Sequence, residues 1–226
     1  NSSRTELSGS EAWTAEHGFP RLYLVDDQKD LRRSDDGGFT WTDVATPTDY
    51  WGVLAASTVD PELVAYGGVE VYASRDGGST ATRVNAWSDY YDDPEHRLHA
   101  DLMGLVVEPG PDGGETWYIG TDGGLYASTD GLSTVNNLSM SGLRVSQYYS
   151  TLTSSANADH VAAGAQDQGY QVTQGQEPSD HLLNFDQILS GDYAQLTSTD
   201  RTHDLVYSVY PGFFMVQVGE RRPQLT

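Results

Sequence analysis

Along most of the chain apolar and polar residues alternate with a period of two, in runs too short for helices. The runs are "RLYLV", "LVAYGG", "VEVYAS", "TWYIGT", "GLYAS", "HVAAG", "GYQVTQ", "DLVYSVY" and "FFMVQVG". Each is rich in Val, Tyr and Leu and is bounded by Gly, Asp or Ser, the signature of short strands between tight turns. No stretch carries a convincing helical period, so the pattern predicts an all-β fold.

The strand pairs repeat. Anchored near the end of the first strand of each pair, Tyr23, Tyr66, Tyr118, Ala163 and Tyr207 are separated by 43, 52, 45 and 44 residues. Four antiparallel strands with tight turns occupy about 40 to 50 residues, and radial stacking of such sheets in a β-propeller covers both faces of each. The spacing predicts one propeller domain over 1–226, with four-stranded antiparallel blades at about 1–45, 46–86, 98–140, 145–185 and 190–226 and an insertion at 87–97. Four of the pairs follow a further strand and a polar turn, as in "GVLAASTVDPELVAYGG" and "YAQLTSTDRTHDLVYSV"; the first shows no clear preceding strand. A seven-bladed ring at this period needs roughly 300 residues. The chain is therefore expected to be an incomplete part of a larger propeller, whose other blades come from the same precursor or a partner chain.

Within the turns, "SDDGGFTW" places Ser34, Asp36, Gly38, Thr40 and Trp41 in the pattern Ser-x-Asp-x-Gly-x-Thr-Trp. Two echoes follow, "SRDGGSTA" with Ser74, Asp76 and Gly78, and "STDGLSTV" with Ser128 and Asp130. An Asp in such a turn is expected to accept hydrogen bonds from amides two and three residues on, a Gly to take the left-handed position, and the Trp to pack across the hairpin base. Ala81 and Val135 replace the Trp and Leu132 the second Gly, so the later hairpins are expected to be less well clamped. An EF-hand is excluded, because the acidic spacing and the closing Glu of a calcium loop are missing. "DGGETW" at 112–117 lacks the Ser and precedes a strand, and is read as an unrelated turn.

On these three motifs the sequence resembles the Asp-box, or BNR-repeat, β-propellers. That superfamily includes sialidases, sortilin-type receptor domains, xyloglucanase-type hydrolases and photosystem assembly factors. The resemblance implies that the motif is the hairpin between the third and fourth strands of a blade, structural rather than catalytic, at the rim away from the central channel. A finer resemblance, to secreted bacterial sialidase-like and sortilin-like Asp-box proteins, rests on "HADLMGLVVEP", "GLRVSQYYSTLTSS", "AAGAQDQG" and "SGDYAQLTSTD". Here the chain departs from its relatives: Met103 stands for a second His, Gln168 for Asn, and Tyr193 with Ala194 for two glycines. Those departures weaken the transfer of any polar or metal-binding site.

Composition narrows the partners. The chain has 33 acidic residues against 12 basic ones, a net charge of -21, and one lysine, Lys29. Such a field repels nucleic acid and anionic membranes, so neither is an expected partner. There is no cysteine, which excludes disulfides, thiolate nucleophiles and Cys-based metal sites. No run approaches the about 18 apolar residues of a membrane span, and the N-terminus lacks a signal-peptide layout. Together with the resemblance, this sets the expectation of a secreted bacterial protein whose signal peptide is absent from this chain.

Polar residues at the starts of the innermost strands should converge near the channel mouth. These are His99 and Asp101, Gln147 with Tyr148 and Tyr149, and Asp192 with Tyr193; Gln166, Asp167 and Gln168 follow a second strand. They can line a carbohydrate or protein site or tie neighbouring blades together. Trp87, Tyr90 and Tyr91 stand beside three carboxylates in "WSDYYDD", which suits either a sugar-stacking lip or a solvated loop. No cofactor or metal is expected, since on a strand His99 and Asp101 share a face while His96 points elsewhere. Glycosidase chemistry needs two suitably spaced carboxylates; Asp101, Asp167 and Asp192 are the candidates. The Arg triad of sialidases cannot be traced, and "GFPRLY" matches their Phe-Arg-Ile-Pro element only in scrambled order. A binding or structural propeller is the leading expectation, with a xyloglucanase-like or sialidase-like hydrolase and an assembly factor docking on a larger complex as alternatives.

Overall fold

The computed structural model describes residues 5–13, 18–26, 28–141, 143, 146–174, 184–193, 195–208, 214–217 and 224–225. Within them the alternating runs become strands of five four-stranded antiparallel sheets, each in simple meander order. The chain divides into two compact units, Asn1–Ser141 and Gly142–Thr226.

The first unit holds three sheets. The first contains β1 (Glu6–Trp13), β2 (Pro20–Val25), β3 (Leu31–Ser34) and β4 (Thr42–Ala45). The second contains β5 (Val53–Ala56), β6 (Val64–Gly67), β7 (Val71–Ser74) and β8 (Thr82–Arg83). The third contains β9 (Leu102–Pro109), β10 (Glu115–Thr121), β11 (Gly124–Ser128) and β12 (Asn136–Asn137). A five-residue 3₁₀ turn, Trp87–Tyr91, lies between the second and third sheets in sequence. In the second unit, β13 (Tyr148–Thr153), β14 (His160–Ala165), β15 (Gly169–Gln174) and β16 (Asp186–Leu189) form one sheet. Then β17 (Leu196–Thr197), β18 (Leu205–Ser208), β19 (Phe214–Gln217) and β20 (Gln224–Leu225) form the other.

Within each unit the first strands of successive sheets pack against one another, β1 on β5, β5 on β9, and β13 on β17. That radial relation makes each sheet a blade, and the architecture is that of a β-propeller. The first blade does have a preceding strand: β1 pairs with β2 through Leu7–Leu24 and Gly9–Leu22. Its sequence, "ELSGSEAW", is too polar to announce it. The segments 209–213 and 218–223, which include Arg221 and Arg222, lie outside the described residues.

The second blade shows why the period-two runs are apolar on both parities. Val64 and Tyr66 face a core shared with Tyr23, Val25 and Leu31 of the first blade. Their neighbour Ala65 faces the opposite core, with Trp117, Ile119 and Tyr126 of the third. Both faces of β6 are thus covered, and its four residues are all buried. Full burial of a large apolar side chain stabilises by about 1.5–3 kcal/mol, so the paired cores hold the blades in order. In the second unit Ala162, Tyr170 and Val172 meet Tyr193 and Val206 in the same manner.

The three Ser-x-Asp motifs lie in the β3–β4, β7–β8 and β11–β12 turns and share one bonding scheme. Ser34 donates through Oγ to Asp36 Oδ1 at 2.8 Å and accepts from the Gly38 amide at 2.8 Å. Asp36 then takes the Thr40 amide at 2.9 Å and the Thr40 hydroxyl at 2.6 Å. The carboxylate thus reaches the amide four residues on, one beyond the furthest expected, as well as the one three residues on. Ser74, Asp76 and Thr80 repeat these bonds, as do Ser128, Asp130 and Thr134, where Asp130 also takes the Ser133 amide. The later hairpins are therefore clamped by the same set as the first. Trp41 adds only its Nε1 bond to the Gly38 carbonyl at 3.1 Å. Two successive residues take positive φ in every copy, Gly37 and Gly38, Gly77 and Gly78, and Gly131 with Leu132 at +68°.

The turns are also stapled between blades of the first unit. Arg33 donates to the Gly77 carbonyl at 3.2 Å, and Arg75 to the equivalent Gly131 carbonyl at 2.6 Å. Arg21 pairs with Asp35 of its own blade and Glu62 of the next. Burial works against the Arg21 charge, but the two carboxylates outweigh it and raise its pKa above the ordinary arginine value.

Candidate functional site

In the first unit the polar and aromatic candidates gather on the 67–70 turn between β6 and β7. Asp49 accepts the Val69 amide at 2.9 Å and the Glu70 amide at 2.8 Å. Gly68 has no side chain because there is no room for one: a Cβ there would strike the Asp49 carboxylate and lie 2.9 Å from Trp51 Cδ1. The Trp51 ring therefore lies against the turn, 52% exposed. From the other side, the Asp101 amide donates to the Val69 carbonyl at 2.9 Å and the Leu102 amide to that of Gly68 at 2.7 Å. Asp101 makes this approach with φ at +66°, a conformation Asp tolerates better than most residues.

Glu70 ties the insertion to the same turn. Its carboxylate accepts the Trp87 amide at 3.0 Å and pairs with Arg83 at 2.8 Å. Burial pushes against the Glu70 charge, yet the Arg83 and Trp87 bonds prevail and lower its pKa below the ordinary value. Trp87, 45% exposed, stands edge-on to Tyr91, with centroids 5.8 Å apart, and Tyr91 stands edge-on to Tyr90 at 5.7 Å. Tyr90 in turn meets the His99 ring at 4.7 Å.

His99 is only 6% exposed, and its packing leaves no space for a Cβ at Gly123. It packs beneath the aromatics together with Tyr90, which is 1% exposed. Asp101 lies close enough to Asp122 of the β10–β11 turn for its charge to act on it. The Asp122 carboxyl is raised above its ordinary range, first by desolvation and then by the Asp101 charge, with His99 acting the opposite way. His96 pairs instead with Asp93, at 3.0 Å. Among the described residues no three His, Asp or Glu side chains are grouped to hold a metal ion.

In the second unit the candidates form a hydrogen-bonded set. The Asp192 carboxylate accepts the Asp167 amide at 2.9 Å, and the Tyr193 amide donates to the Ala165 carbonyl at 3.1 Å. A parallel bridge joins Gln168 to Gly191. Asp192 is therefore a clamp on the β14–β15 turn, and Tyr193, 7% exposed, packs against Tyr170. The Tyr148 hydroxyl donates to Gln171 Oε1 at 2.7 Å, while Gln171 Nε2 donates to the Gln168 carbonyl at 3.1 Å. Tyr149 donates to exposed Gln166 at 3.0 Å, and Gln147 is also exposed.

Five participants escaped the sequence reading: Asp49, Trp51, Glu70, Asp122 and Gln171. "TDYWG" carried a signal for Trp51, a large aromatic beside Gly just ahead of a strand. The others are single polar residues in or next to strands, and only the tertiary turn contacts reveal their roles.

Fold and site together define a β-propeller with an aromatic and acidic surface on one blade turn. A scan against protein-family models and a search of curated proteins both give no match. Among solved structures, the chain is similar to the GH74 enzyme of Niastella koreensis, at 15% identity and a TM-score of 0.42. That alignment covers 89% of this chain and 33% of the enzyme, so the chain spans about a third of its length. It is also similar to YCF48 bound to D1 peptide, at 10% identity, TM-score 0.36, and 88% and 62% coverage. The WD40 β-propeller domain of Doa1 aligns at 12% identity, TM-score 0.35, and 99% and 69% coverage. No helix among the described residues is long and apolar enough to cross a membrane.

Proposed function

We propose that the chain is part of an extracellular Asp-box propeller that binds a carbohydrate or protein ligand without turning it over. The observation that carries this reading is the pair of half-exposed indoles, Trp51 and Trp87, both anchored to the 67–70 turn by backbone and carboxylate bonds. Rings held by the scaffold present a large contact area at low entropic cost to a ligand, which is how aromatic anchors act in recognition sites. The Asp-box assignment rests on the threefold bonding scheme of the turns, and the extracellular one on the sequence resemblance and the charge of -21. Of the candidate carboxylates, Asp192 is already engaged by the Asp167 backbone amide, which favours binding over hydrolysis.

Glycan and peptide arrays, run beside reducing-sugar assays, test this. The expected result is a retained ligand whose binding falls in Trp87→Ala, with no sugar released. Release of reducing sugar that disappears in Asp192→Asn would overturn it in favour of a glycoside hydrolase. Recovery of the protein only within a larger complex, with no array ligand, would favour an assembly factor.

A further inference from the structure

Resting on the binding reading above, we infer that the ligand of the 67–70 face is a cationic peptide segment, one presenting Lys or Arg side chains, and not a neutral sugar chain. Charge complementarity is the first ground. Between Trp87 and Asp101 the sequence holds five carboxylates, Asp89, Asp92, Asp93, Glu95 and Asp101, against one arginine, Arg97. Arg83, the other nearby cation, is already committed to Glu70.

The second ground is the kind of surface that carries this charge. Trp51, Trp87 and Tyr91 are all more than 40% exposed, and a cation within about 6 Å of such a ring face is attracted by its quadrupole. Met103, 62% exposed, follows Leu102, whose amide is bonded to Gly68. A flexible thioether there suits the aliphatic stem of a long basic side chain. Carboxylates only accept hydrogen bonds, and ammonium or guanidinium groups only donate them, so the two match in kind as well as in charge. The net charge of -21 also steers a basic segment toward the molecule and speeds encounter.

The test is fluorescence anisotropy with a labelled hexapeptide of alternating Arg and Gly. A Glu-Gly hexapeptide and a neutral glucan hexasaccharide serve as comparisons, at about 0.15 M salt. The Arg peptide is expected to bind, the Glu peptide not to bind, and Trp87→Ala to weaken the Arg peptide about tenfold. Trp87→Phe should retain most of the affinity, and melting curves confirm that both variants fold. Asp101→Asn, which suits the positive φ, should weaken binding as well. Asp112→Asn, the same charge change on the exposed β9–β10 turn, should leave affinity within about twofold. Equal losses in Asp112→Asn and none in Trp87→Ala would overturn the inference as diffuse charge attraction. Trp87-dependent binding of the hexasaccharide alone would overturn it while keeping the binding reading. Failure of all three probes, with the arrays also blank, would overturn both.

Discussion

At the scale of the residue, the Ser-x-Asp turns convert charge into local order. Thr40 and Thr80, first through their hydroxyls and then their amides, hold the carboxyls of Asp36 and Asp76 at about 2, below the ordinary 3.8. Folding therefore favours the ionised forms, and their contribution is complete above pH 3.8 and disappears as pH falls toward 2. Denaturant midpoints should accordingly decline through this window, and Asp36→Asn should flatten the decline while lowering stability at pH 7. Leu132 poses a different balance. It is 3% exposed in the core, yet sits at φ +68° where the other turns have glycine. Truncation at a buried Leu costs about 2–5 kcal/mol, while the left-handed backbone costs a side chain about 1–2 kcal/mol that glycine escapes. Leu132→Gly should therefore be no less stable than Leu132→Ala by thermal melting, inverting the usual order; a Gly variant clearly below Ala would show that the turn carries no strain. The sequence displayed Asp36 and its echoes plainly, but it suggested loosened later hairpins. The clamp resides in the Ser, Asp and Thr that all three copies keep, whereas the Trp that varies adds one bond.

At the scale of the element, the first-to-second-strand turns form a second repeat. Ser57 Oγ accepts the amides of Val59 and Asp60, and Ser154 Oγ accepts those of Ala156 and Asn157. Sequence alone showed these as polar turns without their shared geometry. The first of them is gripped by the next blade. Glu115 of β10 accepts the Ser57 hydroxyl at 2.7 Å and the Thr58 amide at 2.7 Å, and the Trp117 indole at 2.8 Å. Burial opposes the Glu115 charge, but these donors win and lower its pKa. Glu115→Ala leaves four donors, the Thr58 hydroxyl among them, without their acceptor and should cost about 2–3 kcal/mol in urea unfolding; a loss below about 0.5 kcal/mol would mean water replaces the carboxylate. Strand legibility followed length. β6 and β10 read clearly from their periodicity, whereas β8 and β12, two residues each, are too short to hold a period, and β1 is too polar.

At the scale of the whole molecule, the repeat spacing foretold the blades because the period of the chain is the length of a four-stranded meander. The candidate site was legible only in part. Trp87 and Tyr91 stood out as aromatics in an acidic insertion, while the surface they join depends on Trp51 and on Gly68, brought together by folding across residues 49–101. His99 and Tyr193, candidates in the sequence, are 6% and 7% exposed, and polarity alone does not reveal how deeply a residue lies in a blade. The Ser-x-Asp turns also bear on how the chain is born. The arginine staples point one way: Arg33 of the first blade waits for Gly77 of the second, and Arg75 of the second for Gly131 of the third. On the ribosome, where the N-terminal portion emerges first, these two bonds can form only once the following blade is in place.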